Sequence, residues 1–473
     1  MNGEVKEITK RNVDFGSWYT DVCLKADLID YTSVKGSMII RPYGYSIWEQ
    51  IVSILDGKFK KEGVQNVQMP MFIPEDLFNK EKEHVKGFAP EVAYVTQGGD
   101  EKLPQRMIVR PTSEVLFCEH FKKRISSYKD LPLIYNQWCT IVRWEKTTRP
   151  FLRSREILWQ EGHTMHATAD EAIVETKKML KIYEDFQKNI LALPVIIGRK
   201  TEKEKFAGAV STYTLEAMMQ NGVALQNGTS HYFGDGFAKA FDIKYIDKNN
   251  KYIYPFQTSW GVSTRMIGAV IMTHSDDRGL VLPPNIAPIK VAIIPINDKV
   301  YDECDKIKDN LEKGNISCIV DKSLKSAGFK FAEAEVRGYP LRIEVGPRDL
   351  EKNIISIVRR DTLEKIDVNV NSYESTVKNL LDDIQNSLYN EALKRRDSMI
   401  YNVDLLEDLE SLSKEKQGFF IVPWCEDEAC EKTMKESLGL TSRCLLDENE
   451  VFDGKCIICG KQAKKHLYIS KQY

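Results

Sequence analysis

With 473 residues, the chain is longer than one ordinary hydrophobic core can organise, and two or three domains are expected. Hydrophobic residues at 42% and charged ones at 29% are proportions of a soluble globular protein, and no apolar run reaches membrane-spanning length, so no membrane partner is expected. A formal charge of −2 rules out a bulk-basic nucleic-acid binder, though not a folded RNA held on a local patch.

Met1 to Lys10 has no apolar stretch of the kind that opens a signal peptide, so a cytoplasmic location is expected. Phe15, Trp18 and Tyr19 predict a short helix on the main body. Ser46-Ile-Trp-Glu49 has the form of a capping box, opening a helix with Ile47, Ile51, Ile54, Leu55 and Phe59 on one stripe and closing near Gly63. A strand over Val64 to Met69 then meets Pro70, which cannot donate to a ladder and belongs at a strand end or sheet edge. This helix and strand suit either a dimer surface or packing within the monomer. Asp76 to Gly99, rich in Lys, Glu and Gly, is predicted as a mobile loop. Arg110-Pro-Thr-Ser-Glu114 leads into a helix, with Thr112 and Ser113 suited to its cap and Glu114 to its positive end.

Trp138 to His163 is the stretch around which the rest is organised. Both arms alternate apolar and charged residues about a basic break at Lys146 to Arg149, which predicts two antiparallel strands of one sheet. Arg143, Glu145, Arg153, Glu161 and His163 then point into a cleft. Charges are rarely enclosed unless paired, so this pattern calls for a polyanionic ligand; a salt-bridged hairpin on a wet sheet face is the plainer alternative. Thr168-Ala-Asp-Glu171 is a second capping box, starting a helix through Leu180, Tyr183, Phe186 and Ile190. Strand-like text runs through Gln226 to His231 and Ser259 to Arg265, where Gly261 allows close backbone approach and Arg265 stands at a strand-to-helix passage that can meet a phosphate.

Three prolines between Leu282 and Pro288 mark a boundary. Beyond it, alternating strands and helices from Lys290 to Val345, with a closing helix after Tyr373, predict a small α/β domain. Lys330, Arg342 and Arg348 suit an RNA backbone or are ordinary surface charge. In the tail, Cys425 and Cys430 form one close pair and Cys456 and Cys459 another, and four thiolates suit a closed, structural tetrahedral zinc site. Cysteines 23, 118, 139, 304, 318 and 444 show no such pairing and read as structural thiols.

Taken together, the text from Phe15 to Tyr473 resembles a class II prolyl-tRNA synthetase of the archaeal and eukaryotic-like type. Trp138 to His163 is similar to class II motif 2 in its prolyl form, Gly44 to Pro70 to motif 1, and Ser259 to Arg265 to motif 3. Arg-Pro-Thr-Ser-Glu at 110 to 114 with Trp-Gln-Glu-Gly-His at 159 to 163 is distinctive of the prolyl members. The resemblance implies an α+β catalytic domain with an antiparallel class II sheet over residues 1–282. An α/β anticodon-binding domain over 288–396 and a small zinc-binding α+β domain over 397–473 complete the expectation. It further implies a homodimer through motif 1, ATP bound with Mg2+, L-proline and tRNA(Pro) as the other substrates, and structural Zn2+ on the four cysteines.

By the same resemblance Arg143 holds the α-phosphate, Arg265 the γ-phosphate and adenine face, and Arg153 the remaining phosphates. Glu145 accepts from the adenine amino group, while Gln226 and Thr229 belong with the nucleotide. Thr112 and Glu114 meet the proline imino group, with Trp159, Glu161, His163, Phe206 and His231 around the ring. The anticodon contacts are sought among Glu333, Glu335, Arg342 and Arg348, and a terminal Tyr473 is expected either near the active site or frayed.

Two departures from the family pattern have consequences. Ile157 stands where an aromatic platform for adenine is usual, and the stretch between Glu161 and Ser259 leaves no room for a domain-sized editing insertion. Small differences between amino acids give only about 1–3 kcal/mol of discrimination. Alanine or cysteine should therefore be activated detectably and the mischarged product left intact; clearance of alanyl-tRNA by the pure chain refutes this. A related threonyl enzyme would carry a zinc-ligating cysteine in the loop at 110 to 114, which has none. A non-catalytic relative would have lost Arg143, Arg265 or Glu145, and all three stand.

Overall fold

The computed structural model describes residues 8–84 and 91–473. Asp14 caps the first helix, Phe15–Lys25, accepting from the backbone N–H groups of Gly16 and Ser17 while Trp18, Tyr19, Val22 and Cys23 turn inward. The next helix runs Pro42–Lys61 and begins before the Ser46 box that was expected to open it. Pro42 occupies the first turn, where its fixed φ suits a helix and its missing N–H is no loss, and Ser46 Oγ donates back to Pro42 O at 2.8 Å. The buried stripe of this helix meets the central sheet through aromatic rings, Trp48 lying 5.8 Å from Trp138 and Phe59 4.9 Å from Trp260.

The central sheet has seven strands, in the order Gln65–Asn66, Leu133–Val142, Glu156–His166, Phe256–Ser263, Ala224–Gly234, Ser211–Met218 and Val195–Arg199. All neighbours are antiparallel except the edge pair, where Gln65 and Asn66 run parallel to Tyr135 and Asn136. The strand expected over Val64 to Met69 thus shrinks to two residues, ending short of Pro70. The long hairpin pairs Val142 with Glu156 and Leu133 with Met165, as the alternating text required. Thr168 caps the helix Ala169–Asn189 by accepting from Glu171 N, and Glu171 reaches back to Ala167 N.

The loop expected over Asp76 to Gly99 is a correction. Glu75–His84 is a helix, and Ala93–Gly98 is a strand in a three-stranded antiparallel sheet with Glu101–Val109 and Phe72–Pro74; residues 85–90 of that span lie outside the described residues. The charged composition concealed Phe78, which is fully buried in a core with Ile73, Ile108 and Phe117.

Beyond the prolines, a five-stranded sheet has the order Cys318–Val320, Val291–Pro295, Leu341–Val345, Ile354–Arg359 and Lys365–Asn369. Its first three strands are parallel and the last two join antiparallel. Tyr301–Lys313 and Tyr373–Asp397 cover it. The closing segment builds a four-stranded sheet from Ile400–Asn402, Phe419–Trp424, Lys465–Ser470 and Thr441–Leu445, with helices Leu406–Glu415 and Glu428–Leu438.

Two ion clusters, one half-buried and one fully buried, lock these parts together. Arg360 grips Asp276 with bonds of 2.7 and 2.8 Å. Glu216, fully buried in the central sheet, accepts from Arg443 at 2.6 and 2.9 Å and from Lys200 Nζ at 3.3 Å. Burial pushes the Glu216 carboxyl up, but Arg443 and Lys200 outweigh it and hold it below its ordinary value. Arg443 also donates to Gln472, and the chain around Gln472 lies beside Ala224, with Ala224 N donating to Lys471 O and Tyr473 N to Ala224 O.

Candidate active site

A cleft open to solvent, with about 860 Å³ of empty space in and above it, lies over the central sheet. Thr112, Glu114, Arg143, Trp159, Glu161, His163, Phe206, Gln226, Thr229, His231 and Arg265 all line it, as does Ile157. The loop at 110 to 114, the long hairpin, the strands at 224–234 and 256–263 and the helix start at Arg265 each bring one part. Close packing makes this possible: a Cβ added at Gly162 would sit 2.2 Å from the Trp260 ring, so glycine alone fits between Glu161 and His163.

The floor is acidic. Glu161 Oε1 accepts from Ser113 Oγ at 2.5 Å and Gln137 Nε2 at 2.6 Å, and Oε2 from His163 Nε2 at 3.0 Å and Ser113 N at 3.2 Å. Burial raises the Glu161 carboxyl, yet the hydrogen bond and charge of His163, with those of Ser113 and Gln137, leave it below its ordinary value. Ser113 therefore serves the floor rather than capping its helix, as its sequence position predicts; its side chain makes no cap bond. Glu114 accepts from Thr112 Oγ1, and burial drives its carboxyl above the ordinary value, with the Glu161 charge adding to the rise.

One wall is aromatic. Phe206 lies 4.8 Å from the His231 ring, whose Nδ1 is 2.9 Å from Thr212 Oγ1; burial depresses His231 to about 3, so it is neutral. His163 stacks on Phe117 at 4.1 Å.

The other side is basic. Arg143 Nε donates to Pro111 O at 3.2 Å, and its guanidinium stands 5.3 Å from the Trp159 ring. Arg265 donates to Gln226 O at 3.2 Å and Leu152 O at 3.3 Å. Burial, together with the charges of Arg143, Arg153 and Arg443, brings Arg265 down to about 10. A cation opposed by other cations is a place prepared for an anion. Arg153 and Glu145 are not in this cavity's lining, contrary to expectation; they face each other loosely at 4.0 Å. Arg153 instead joins Arg265, Arg149, Thr147, Thr148, Leu152, Leu225 and Tyr473 around an adjoining cleft that is open to solvent. Tyr473 is not frayed: Asn221 donates to its hydroxyl at 2.8 Å and Arg149 stands 5.9 Å from its ring.

In the tail, Cys425 Sγ lies 3.7 Å from Cys430 Sγ and 3.6 Å from Cys459 Sγ, and Cys456 Sγ completes a group whose donor atoms all lie within 4.8 Å of one another. A tetrahedron with metal–sulfur bonds of about 2.3 Å has edges of about 3.8 Å, so the spacing fits. A hydrogen bond from the Lys461 backbone lowers the Cys459 thiol to about 7. The α/β unit departs from expectation: Lys330 is buried and donates to Asp321 O, and Arg342 is spent on Glu335 and Glu344, each at 3.0 Å. Glu333 faces Lys325 and Arg337, whereas Arg348 is exposed.

Sequence reasoning missed Lys200, Thr201, Arg149 and the Glu216–Arg443 pair. The one local signal was an acid inside the apolar strand text of Tyr213 to Met218.

Comparison with known proteins supports the same reading. A model of the class II tRNA synthetase core domain (G, H, P, S and T) matches residues 94–274, and one of an anticodon binding domain matches 290–380. These define a class II aminoacyl-tRNA synthetase. A model of the prolyl-tRNA synthetase C-terminal region matches 406–473. The chain is 57% identical to the proline–tRNA ligase of Ruminiclostridium cellulolyticum, covering 99% of this chain and 98% of that one. It is 55% identical to that of Clostridium novyi, with the same coverage. A solved prolyl-tRNA synthetase from Cryptosporidium parvum, complexed with halofuginone and AMPPNP, superposes with a TM-score of 0.94 at 38% identity, covering 100% of this chain and 98% of that one. The chain belongs to the class II prolyl-tRNA synthetases.

Proposed function

We propose that the chain activates L-proline with ATP to prolyl adenylate and pyrophosphate, then passes the prolyl group to the 3′ end of tRNA(Pro). The observation that carries this is one cavity with a buried acidic floor at one end and mutually repelling arginines at the other. Proline's secondary ammonium belongs beside Thr112 and Glu114, its ring among Trp159, Glu161, His163, Phe206 and His231. Its carboxylate attacks the α-phosphate, two anions meeting, so fixed positive charge is what the reaction lacks in water. Arg143 supplies it at the α-phosphate, Arg265 and Arg153 farther along the triphosphate. Gln226, Thr229 and Glu145 hold the nucleoside end. No general base is required, because the attacking carboxylate is already ionised. ATP–pyrophosphate exchange tests the reading: exchange with threonine or serine and not proline, or with none, overturns it.

The acidic floor implies a pH dependence. Glu114 titrates above its ordinary 4.5 because of burial, and a protonated Glu114 loses its attraction for an ammonium. The KM for proline should rise as pH falls into that raised range while the KM for ATP stays level, and Glu114→Gln should flatten the curve at a high KM. A proline KM independent of pH in the parent counts against this role.

Mg2+ accompanies ATP as the counter-ion of its phosphates and belongs to the substrate. Cys425, Cys430, Cys456 and Cys459 hold one Zn2+, which with four protein ligands braces the tail and does no chemistry. Elemental analysis finding no zinc in the purified chain would reject that assignment. The units 1–282, 288–396 and 397–473 serve as catalytic, anticodon-binding and zinc-binding domains. A second copy covers the exposed Tyr31 and Ile39 together with Tyr45 of the helix Pro42–Lys61, and a monomer mass in sedimentation excludes it. Among the described residues no helix is long and apolar enough to cross a membrane. The compartment in which the chain acts is, on the same proposal, the cytoplasm.

A further inference from the structure

We infer that Glu431, on the tail helix Glu428–Leu438, is a positioning residue for the proline pocket, holding Phe206 and His231 in place through Thr201. The inference rests on the prolyl reading of that pocket. Glu431 is 3% exposed, and its Oε2 accepts from Thr201 Oγ1 at 2.9 Å and from Ser442 Oγ. A carboxylate is costly to bury, so its few partners are specific ones.

Thr201 is the corner from which the pocket's aromatic wall hangs. Its carbonyl accepts from Glu204 N at 3.2 Å and Lys205 N at 2.9 Å, and its Oγ1 also accepts from Glu204 N at 3.3 Å. At the end of that turn Phe206 N donates to Thr212 Oγ1 at 2.9 Å, and the same oxygen pairs with His231 Nδ1. The path from Glu431 to the two rings is thus one hydroxyl, one tight turn and one shared oxygen. Lys200, the neighbouring residue, is tied to Glu216 and to Arg443 O, so the corner is held from the tail at two points. The nucleotide end has other supports: Arg143 is seated on Pro111, and Arg265 on Leu152 and Gln226. Loosening the corner should therefore affect one substrate and spare the other.

The test is ATP–pyrophosphate exchange on the full chain, with proline and ATP titrated separately. Glu431→Ala should raise the proline KM about tenfold, the scale of a lost hydrogen bond to a charged group, with kcat and the ATP KM within twofold of the parent. Thr201→Val should do the same, the double variant no more than either, and Glu431→Gln, which keeps an acceptor oxygen, should recover most of the loss. Met434→Ala is the control, since it loosens the buried face of the same helix without removing the bond to Thr201. An unchanged proline KM in Glu431→Ala, a parallel rise in the ATP KM, or an equal effect of Met434→Ala overturns the inference. Should Glu431→Ala fail to fold, Thr201→Val carries the same test. Failure of the parent itself to exchange with proline would instead strike the reading of the pocket.

Discussion

Arg143→Ala is expected to slow prolyl-adenylate formation about 10²- to 10³-fold, a loss of ~2.7–4 kcal/mol of transition-state stabilisation. Arg143 is held before any ligand arrives, by its bond to Pro111 O and its place near the Trp159 ring. No energy is then spent organising it as negative charge gathers on the α-phosphate. Alanine removes the charge and the fork together. Lysine keeps a charge but has no planar pair of donors, so Arg143→Lys should fall between alanine and parent. Single-turnover formation of prolyl adenylate at saturating ATP and proline is the measurement, with the melting temperature as a check on folding. A parent-like rate in Arg143→Ala removes electrostatic positioning as the explanation of the site.

Arg443→Ala is expected to cost about 3–5 kcal/mol of stability, because it leaves a fully buried Glu216 with only Lys200 opposite it. The sign with pH follows from the depressed Glu216 carboxyl: the pair stabilises the fold above the ordinary carboxylate range, and the contribution is lost as pH falls through the lowered folded value. The penalty in Arg443→Ala should shrink at acid pH. Replacing all three members, as Glu216→Leu with Arg443→Met and Lys200→Met, should cost less than removing Arg443 alone, since no buried charge is then stranded. Urea unfolding followed by tryptophan fluorescence measures each. A change under about 1 kcal/mol in Arg443→Ala would mean that water reaches Glu216 and that the pair is not sealed.

Much of this was legible in the chain. The hairpin around Trp138 to His163, the helix Tyr301–Lys313 and the strand Leu341–Val345 follow from local periodicity, and the four tail cysteines from spacing. Eleven of the proposed substrate-binding side chains line one cavity because the strands and loops that bear them are neighbours in the sheet. What stayed hidden depends on contacts distant in sequence. Phe78 gains its burial from strands that a charge-rich segment gives no hint of, Ser113 prefers a buried carboxylate to its own helix, and Lys330 looks like surface charge until the fold encloses it. Pro42 illustrates another limit: two start signals lay within one turn, and the one with the fixed φ won.

The Glu216–Arg443 pair also says something about how the molecule is made. Its two members are 227 positions apart, so a growing chain leaving the ribosome must carry Glu216 in a half-built sheet long before its counter-charge exists. The edge bearing Ser211–Met218 and Val195–Arg199 should close last, after the tail emerges, while the hairpin around Trp138 is free to settle early.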